Sequence, residues 1–312
     1  MMFPTRTSPD PIEAPARKTS APPDALIVGG DCAIGRALAE RLRADRLVVA
    51  TPSRRRGEAS GDNGVHHLDL ETLQGAEALP SSRFLVLVAA ETRFATCATA
   101  PGRTALVNID APVTLARRAV AAAGRVLYFS SIAVHDGWRE CPAEDETPTP
   151  NSVYGEQKRA AEERLLALHG DIAILRPSKV IDHGAPLLRA WLDALRRGAE
   201  VEAFGDMMVA PVGIAFLTDV AARLLAACGA TGIFQISAAE QVSYVDIARH
   251  MARRIGAPEE LVLPVKGALR SGLPPLWLPR SAKLGCGRIA AALGVAPPGP
   301  MAAVDAFLEA QP

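Results

Sequence analysis

Short apolar runs recur along the chain without the polar alternation of a half-wetted strand. They are ALIVGG from Ala25, RFLVLVAA over 83–90, RVLYFSS from Arg125 and DIAILRP from Asp171. Unbroken runs of this length suit strands covered on both faces, the condition of a parallel sheet. Segments of helical period lie between them. AIGRALAERLRA puts Ile34, Leu38 and Leu42 on one side, TALVNIDAPVTLARRAVAAA predicts a helix over about 104–123 closed by Gly124, and SVYGEQKRAAEERLLALHG predicts a long helix. LVVAT (47–51) and VHHLDL read as two further strands. Strands alternating with helices predict an α/β fold, a doubly wound parallel sheet of the Rossmann kind.

That alternation covers 24–178 and loosens beyond Pro177. A helix near 186–197, a Gly-rich stretch at 204–213, a helix near 216–228 and the strand-like GIFQIS follow. Residues 179–312 are therefore expected to form mainly a smaller C-terminal substrate lobe, with 211–236 returning to the sheet. Residues 1–23 hold six prolines and no hydrophobic core of a signal peptide, and read as a disordered extension.

Acidic and basic residues balance at 34 each, so no global field attracts nucleic acid or an anionic membrane. No apolar run approaches the roughly 20 residues of a membrane span. Five scattered cysteines without a CxxC pair read as reduced thiols, which suits a cytoplasmic protein. His66 and His67 are neighbours on an extended segment and point to opposite faces, so no metal site is expected there.

Gly29, Gly30 and Gly35 fall in the turn between the first strand and the first helix. Glycines there allow a tight turn, and the helix N-terminus offers N–H groups to a pyrophosphate. If Gly29 and Gly35 are the outer glycines of GxxGxxG, Cys32 stands where a side-chain-free residue lets the backbone approach the phosphates. An acid ending the second strand suits the ribose 2′-hydroxyl of NAD, and arginines suit the 2′-phosphate of NADP. That strand runs LVVATPSRRR with no acid before Glu58. Arg54, Arg55 and Arg56 thus favour NADP(H) over NAD(H) through charge-assisted hydrogen bonds.

Tyr154 and Lys158 are four apart on a predicted helix and share a face. A nearby ammonium is expected to lower the phenol pKa and let Tyr154 exchange a proton with a carbonyl oxygen. Ser131 follows the strand VLYFSS, at the carboxyl edge where such sheets bind ligands, and can hydrogen-bond the same oxygen.

The glycine turn, Asn108 in VNIDAPVTLARRA, VLYFSSIAVHDG, SVYGEQKRAAEE, ILRPSKV, GDMMVAP and SAKLGCGRI resemble, in that order, the extended short-chain dehydrogenase/reductases, and among them the dTDP-4-dehydrorhamnose reductases. The resemblance runs from about Ala25 to near the C-terminus. It implies that Ser131, Tyr154 and Lys158 are catalytic, that Lys158 also holds the nicotinamide ribose, and that Asn108 supports the lysine or a water. Gly29, Cys32, Ile34, Gly35, Arg54, Arg55, Asp69, Ala89, Ala90, Asn108 and Pro177 then lie along the cofactor. The departures concern the substrate side. Ala90-Glu91-Thr92-Arg93 replaces an AAYT-like segment, Ile132 replaces an acid, and Lys179 replaces a tryptophan. Glu91, Arg93, Ile132 and Lys179 are therefore the expected substrate contacts.

The leading expectation is an NAD(P)H-dependent reductase of a keto group on a small activated substrate, foremost a nucleotide-linked 4-keto-deoxysugar. The alternatives are a nucleotide-sugar epimerase with tightly held NAD(P), and a non-catalytic NADP-binding partner subunit. A homodimer through the helices of 104–123 and 151–169 is the expected assembly if their alanine-rich faces do not pack on the sheet instead.

Overall fold

The computed structural model describes residues 22–54, 66–267 and 279–311. Arg55, Arg56 and residues 1–21 of the proposed extension lie outside the described residues. Strand β1 (Ala25–Val28) leads into helix α1 (Ala33–Ala44), and a two-residue strand β2 (Val49–Ala50) follows. After β3 (Phe84–Leu87) come the short helices α2 (Phe94–Thr99) and α3 (Pro101–Ala105), then α4 (Ala111–Ala121) and β4 (Arg125–Phe129). Helix α5 (Val153–Leu166) and β5 (Ile172–Pro177) complete the alternating part. The remainder runs β6 (Val180–Ile181), α6 (Pro186–Arg196), β7 (Val201–Phe204), β8 (Met208–Val209), β9 (Val212–Gly213), α7 (Ile214–Ala226) and β10 (Gly232–Ile236). It ends with β11 (Val242–Ser243), α8 (Tyr244–Ile255), β12 (Val262–Val265), α9 (Gly287–Leu293) and α10 (Ala302–Glu309).

Six strands form one sheet in the order β10-β5-β4-β3-β1-β2, and every neighbouring pair is parallel. Side chains alternate between its faces. Ile27, Val86, Leu127 and Leu175 meet Leu38, Leu42, Val220 and Leu224 of α1 and α7 on one face. Leu26, Leu85, Val126 and Ile174 meet Leu115, Ala116, Ala161 and Leu165 of α4 and α5 on the other. Both faces are dry, which is why these strands read as unbroken apolar runs. The alanines of α4 and α5 serve this packing. A separate core gathers Trp191 and Leu195 of α6, Ile247 and Met251 of α8, Phe307 of α10 and Val201 of β7. Among the described residues no helix is long and apolar enough to cross a membrane.

Three expectations need correction. Of VHHLDL, the described residues 66–70 form no sheet strand; their ladder pairing is the bridge Ser53 to His67. Asp69 ends the extended stretch by turning back, its Oδ1 accepting from the N–H groups of Glu71 and Thr72. LVVAT contributes only Val49 and Ala50 to the sheet. The helix expected over 104–123 begins at Pro101 and is broken by a π turn, Leu106–Asp110. Pro112 supplies the reason, since it has no N–H for the carbonyl four residues back, that of Asn108.

One buried ion pair ties the second face of the sheet together. Arg176 of β5 bonds both carboxylate oxygens of Glu162 on α5, at 2.9 and 2.6 Å, with 0% and 3% of the two side chains exposed. Glu162→Gln leaves a buried guanidinium uncompensated and is expected to cost about 3–5 kcal/mol in urea unfolding. The double variant Glu162→Met/Arg176→Met, which removes both charges, is expected to cost much less.

Candidate active site

Residues 29–35 turn the chain from β1 into α1. Gly29 has φ +100°, and a Cβ there would meet the Ala89 backbone nitrogen at 2.6 Å. At Gly35 a Cβ would strike the Gly29 carbonyl. Close approach, not only φ, therefore requires both glycines. Cys32 is the N-cap of α1, its Sγ accepting from Gly35 N at 3.3 Å in a part-buried bond. Ile34 packs against the sheet's first core.

Beside this turn lies a cavity of about 330 Å³, lined by Gly29, Asp31, Arg54, Asp69, Ala89, Ala90, Glu91, Arg93, Arg103 and others. Glu91 and Arg93, expected at the substrate, thus share a wall with the glycine turn. Arg93 holds the Glu91 carboxylate with two bonds of 3.1 and 3.0 Å, which keeps that carboxyl below its ordinary pKa. Sequence reasoning missed Glu71 and Arg103 in the same lining. They pair at 2.7 Å, and Arg54 lies 3.9 Å from the same carboxylate. Arg103 sits on α3, a five-residue helix with no periodicity to reveal it.

At the carboxyl end of β4, Ser131 caps a 3₁₀ turn, Ile132–Val134, and its hydroxyl accepts from Ala133 N at 3.1 Å. Ser131 is near enough to the Tyr154 phenol to favour its charged form. Tyr154 lies in the first turn of α5, which Ser152 caps by accepting from Gly155 N at 3.1 Å. Gly155 is a further residue the sequence did not single out. A Cβ there would strike the Ala133 carbonyl, so its absence lets α5 approach the Ser131 turn. Ser130, the preceding serine of LYFSS, is buried with no hydrogen-bond partner for its hydroxyl.

Lys158 is 2% exposed, and its Nζ donates to the Phe129 carbonyl at 2.8 Å and the Tyr128 hydroxyl at 3.1 Å. That hydroxyl in turn donates to the Asn108 carbonyl, 3.5 Å away, the one Pro112 cannot serve. The Asn108 amide accepts from Glu91 N at 2.9 Å and donates to Glu91 O at 3.0 Å and Gln157 Oε1 at 2.7 Å. Asn108 thus joins the cavity wall to the lysine.

The expected lowering of the Tyr154 pKa by Lys158 is corrected here. Burial pushes Tyr154 up to about 12, opposed by nearby Ser131. Burial pushes Lys158 down to about 7, opposed by the Glu162 carboxylate. The ammonium is 6.0 Å from the Tyr154 ring centre and is turned toward Tyr128 and Phe129, so desolvation outweighs its field.

Residues 24–311 match the family described as RmlD substrate binding domain. The chain belongs to this family of extended short-chain dehydrogenase/reductases. One similar protein is a probable dTDP-4,6-dihydroxy-2-methyloxan-3-one 4-ketoreductase of Streptomyces antibioticus, 28% identical over 253 residues, with 78% of this chain and 81% of that protein covered. Another is methionine adenosyltransferase 2 subunit beta of Bos taurus, 23% identical over 288 residues, with coverages of 85% and 80%. Among solved structures, dTDP-4-dehydrorhamnose reductase of Bacillus anthracis in complex with NADP superposes with TM-score 0.78 at 18% identity, over 94% of this chain and 99% of that one. MoeE5 in complex with UDP-glucose and NAD gives TM-score 0.76 at 23% identity, over 92% and 98%. At these identities the structures establish the fold.

In this RmlD-family chain the remaining expected residues stand apart from the cavity. Ile132 is half-buried in the Ser131 turn, Pro177 ends β5, and Lys179 follows it with its carbonyl accepting from Val212 N at 2.9 Å. The buried lysine has a consequence for stability. Its ordinary pKa is 10.5, and it is about 7 in the fold, so between these the unfolded chain holds a proton that the folded chain has released. Stability therefore rises with pH across that window. Urea unfolding from pH 7 to pH 9 is expected to show this rise in the wild type and to lose it in Lys158→Met.

Proposed function

We propose that this RmlD-family chain is an NAD(P)H-dependent reductase of a nucleotide-linked 4-keto-deoxysugar. The observation that carries the reading is the placement of the Ser131 turn at the carboxyl end of β4 against the first turn of α5, which bears Tyr154 one helical turn from buried Lys158. The residues suit a nicotinamide dinucleotide. The glycine turn leaves room for backbone approach at a helix N-terminus, and the partnerless Ser130 hydroxyl has a hydrogen bond to offer. When bound, the cofactor supplies a hydride to the carbonyl carbon.

The chain's own residues supply the rest. Tyr154 delivers the proton to the carbonyl oxygen as negative charge develops there, so hydride and proton together convert the ketone to a secondary alcohol. Ser131 donates a hydrogen bond to the same oxygen. Lys158, fixed by Phe129 and Tyr128, would hold the nicotinamide ribose. A phenol at about 12 is a weak acid at neutrality, so proton transfer relies on the developing oxyanion being a stronger base. Ile132 and Lys179 are assigned to the sugar side, and Glu91 with Arg93 to its border with the cofactor.

NADPH is the preferred donor in this reading, because Arg54 lines the cavity just beyond β2. The similarity to a protein named as a subunit supports a second, non-catalytic reading. Titration by nicotinamide fluorescence, then turnover with keto-sugar nucleotides, separates them. Net cofactor oxidation is expected, and Tyr154→Phe is expected to lower it about 10²- to 10⁴-fold while cofactor binding persists. Cofactor binding without turnover of any keto sugar would favour the partner subunit, and turnover without net oxidation an epimerase.

A further inference from the structure

The pairing of Glu71, Arg103 and Arg54 is not explained by the chemistry above. Glu71 receives 2.7 and 2.9 Å bonds from Arg103, and its Oε1 lies 3.9 Å from Arg54 Nη1. All three line the cavity of the glycine turn. Arg54 stands just past the end of β2, where a fold of this kind meets the adenosine ribose. A carboxylate is therefore held between two guanidiniums at the ribose end. Each component has its own use there. A carboxylate accepts from a 2′-hydroxyl, and two guanidiniums chelate a 2′-phosphate.

We propose that Glu71 and Arg103 are the specificity element that sets NADPH against NADH. A 2′-phosphate, with about two negative charges, displaces the Glu71 carboxylate from Arg103 and takes its place between Arg103 and Arg54. A 2′-hydroxyl donates to Glu71 and leaves the Glu71–Arg103 pair closed. Arg93 grips Glu91, whose field reaches Arg103 only as a smaller contribution than that of Glu71. Arg103 and Arg54 are 64% and 69% exposed, so the effect is moderate and weakens with salt.

The inference rests on the cavity being a dinucleotide site, and the test keeps the two apart. Full-length protein is titrated with NADPH and NADH by fluorescence, and with adenosine 2′,5′-bisphosphate and AMP by calorimetry. Arg103→Met is expected to weaken NADPH and the bisphosphate about five-fold, with NADH and AMP changed less than about two-fold. Glu71→Gln is expected to move the NADPH-to-NADH ratio the other way, chiefly by weakening NADH. Equal losses for both dinucleotides in Arg103→Met, or an unchanged ratio in both variants, would overturn the specificity element and leave the dinucleotide site standing. Wild-type protein binding neither dinucleotide would overturn both.

Discussion

Lys158 carries an amine into the seam between α5 and β4, where water cannot follow, and the surrounding structure is arranged to make that tolerable. Two oxygens from β4 and its edge, the Phe129 carbonyl and the Tyr128 hydroxyl, take its protons. One turn along, Glu162 offsets part of the desolvation, and that carboxylate is itself stabilised by Arg176. Arg176 reaches Gln235 of β10, whose amide oxygen also accepts from His135 Nε2 and whose amide nitrogen donates to the carbonyls of Pro142 and Gly285. A buried polar chain thus runs from α5 through β5 to the added strand and the loops over the sheet's end. Each member needs the next, because an unpaired polar group here would cost more than the bond contributes.

The same logic of enforced pairing governs the side of the cavity beside the glycine turn. Pro112 withholds an N–H from the Asn108 carbonyl, and the resulting π turn frees that carbonyl for Tyr128 while aiming the Asn108 amide at Glu91. A local irregularity in one helix therefore positions both the lysine and the cavity wall. π turns concentrate at functional positions for this reason: they turn a helical residue inward without ending the helix.

Much of the sheet was legible, because a strand dry on both faces must be apolar at consecutive positions and β1, β3, β4 and β5 are. VHHLDL read as a further strand, whereas Asp69 accepts from two backbone N–H groups locally and turns the chain. The pairing of Tyr154 with Lys158 at helical spacing was visible. The direction of the Tyr154 shift was not, since spacing conveys proximity and says nothing of desolvation. Gly155 also escaped notice: nothing in its neighbours shows that the Ala133 carbonyl comes close to it.

By itself the sequence determined what depends on near neighbours in the chain. This covers the strand and helix alternation, the glycine turn, the caps at Ser131 and Ser152, and the presence of Ser131, Tyr154 and Lys158 in the order of a known family. Tertiary structure alone decided what depends on distant segments meeting. It brought Arg103 from α3 to Glu71 and Arg54, seated Arg176 against Glu162, and placed Glu91 on the wall of the cavity beside the glycine turn. The physical reason is that charge and hydrogen-bond partners act over a few ångströms of space whatever the separation along the chain. Burial, which sets the sign of the Tyr154 and Lys158 shifts, exists only once the core has closed.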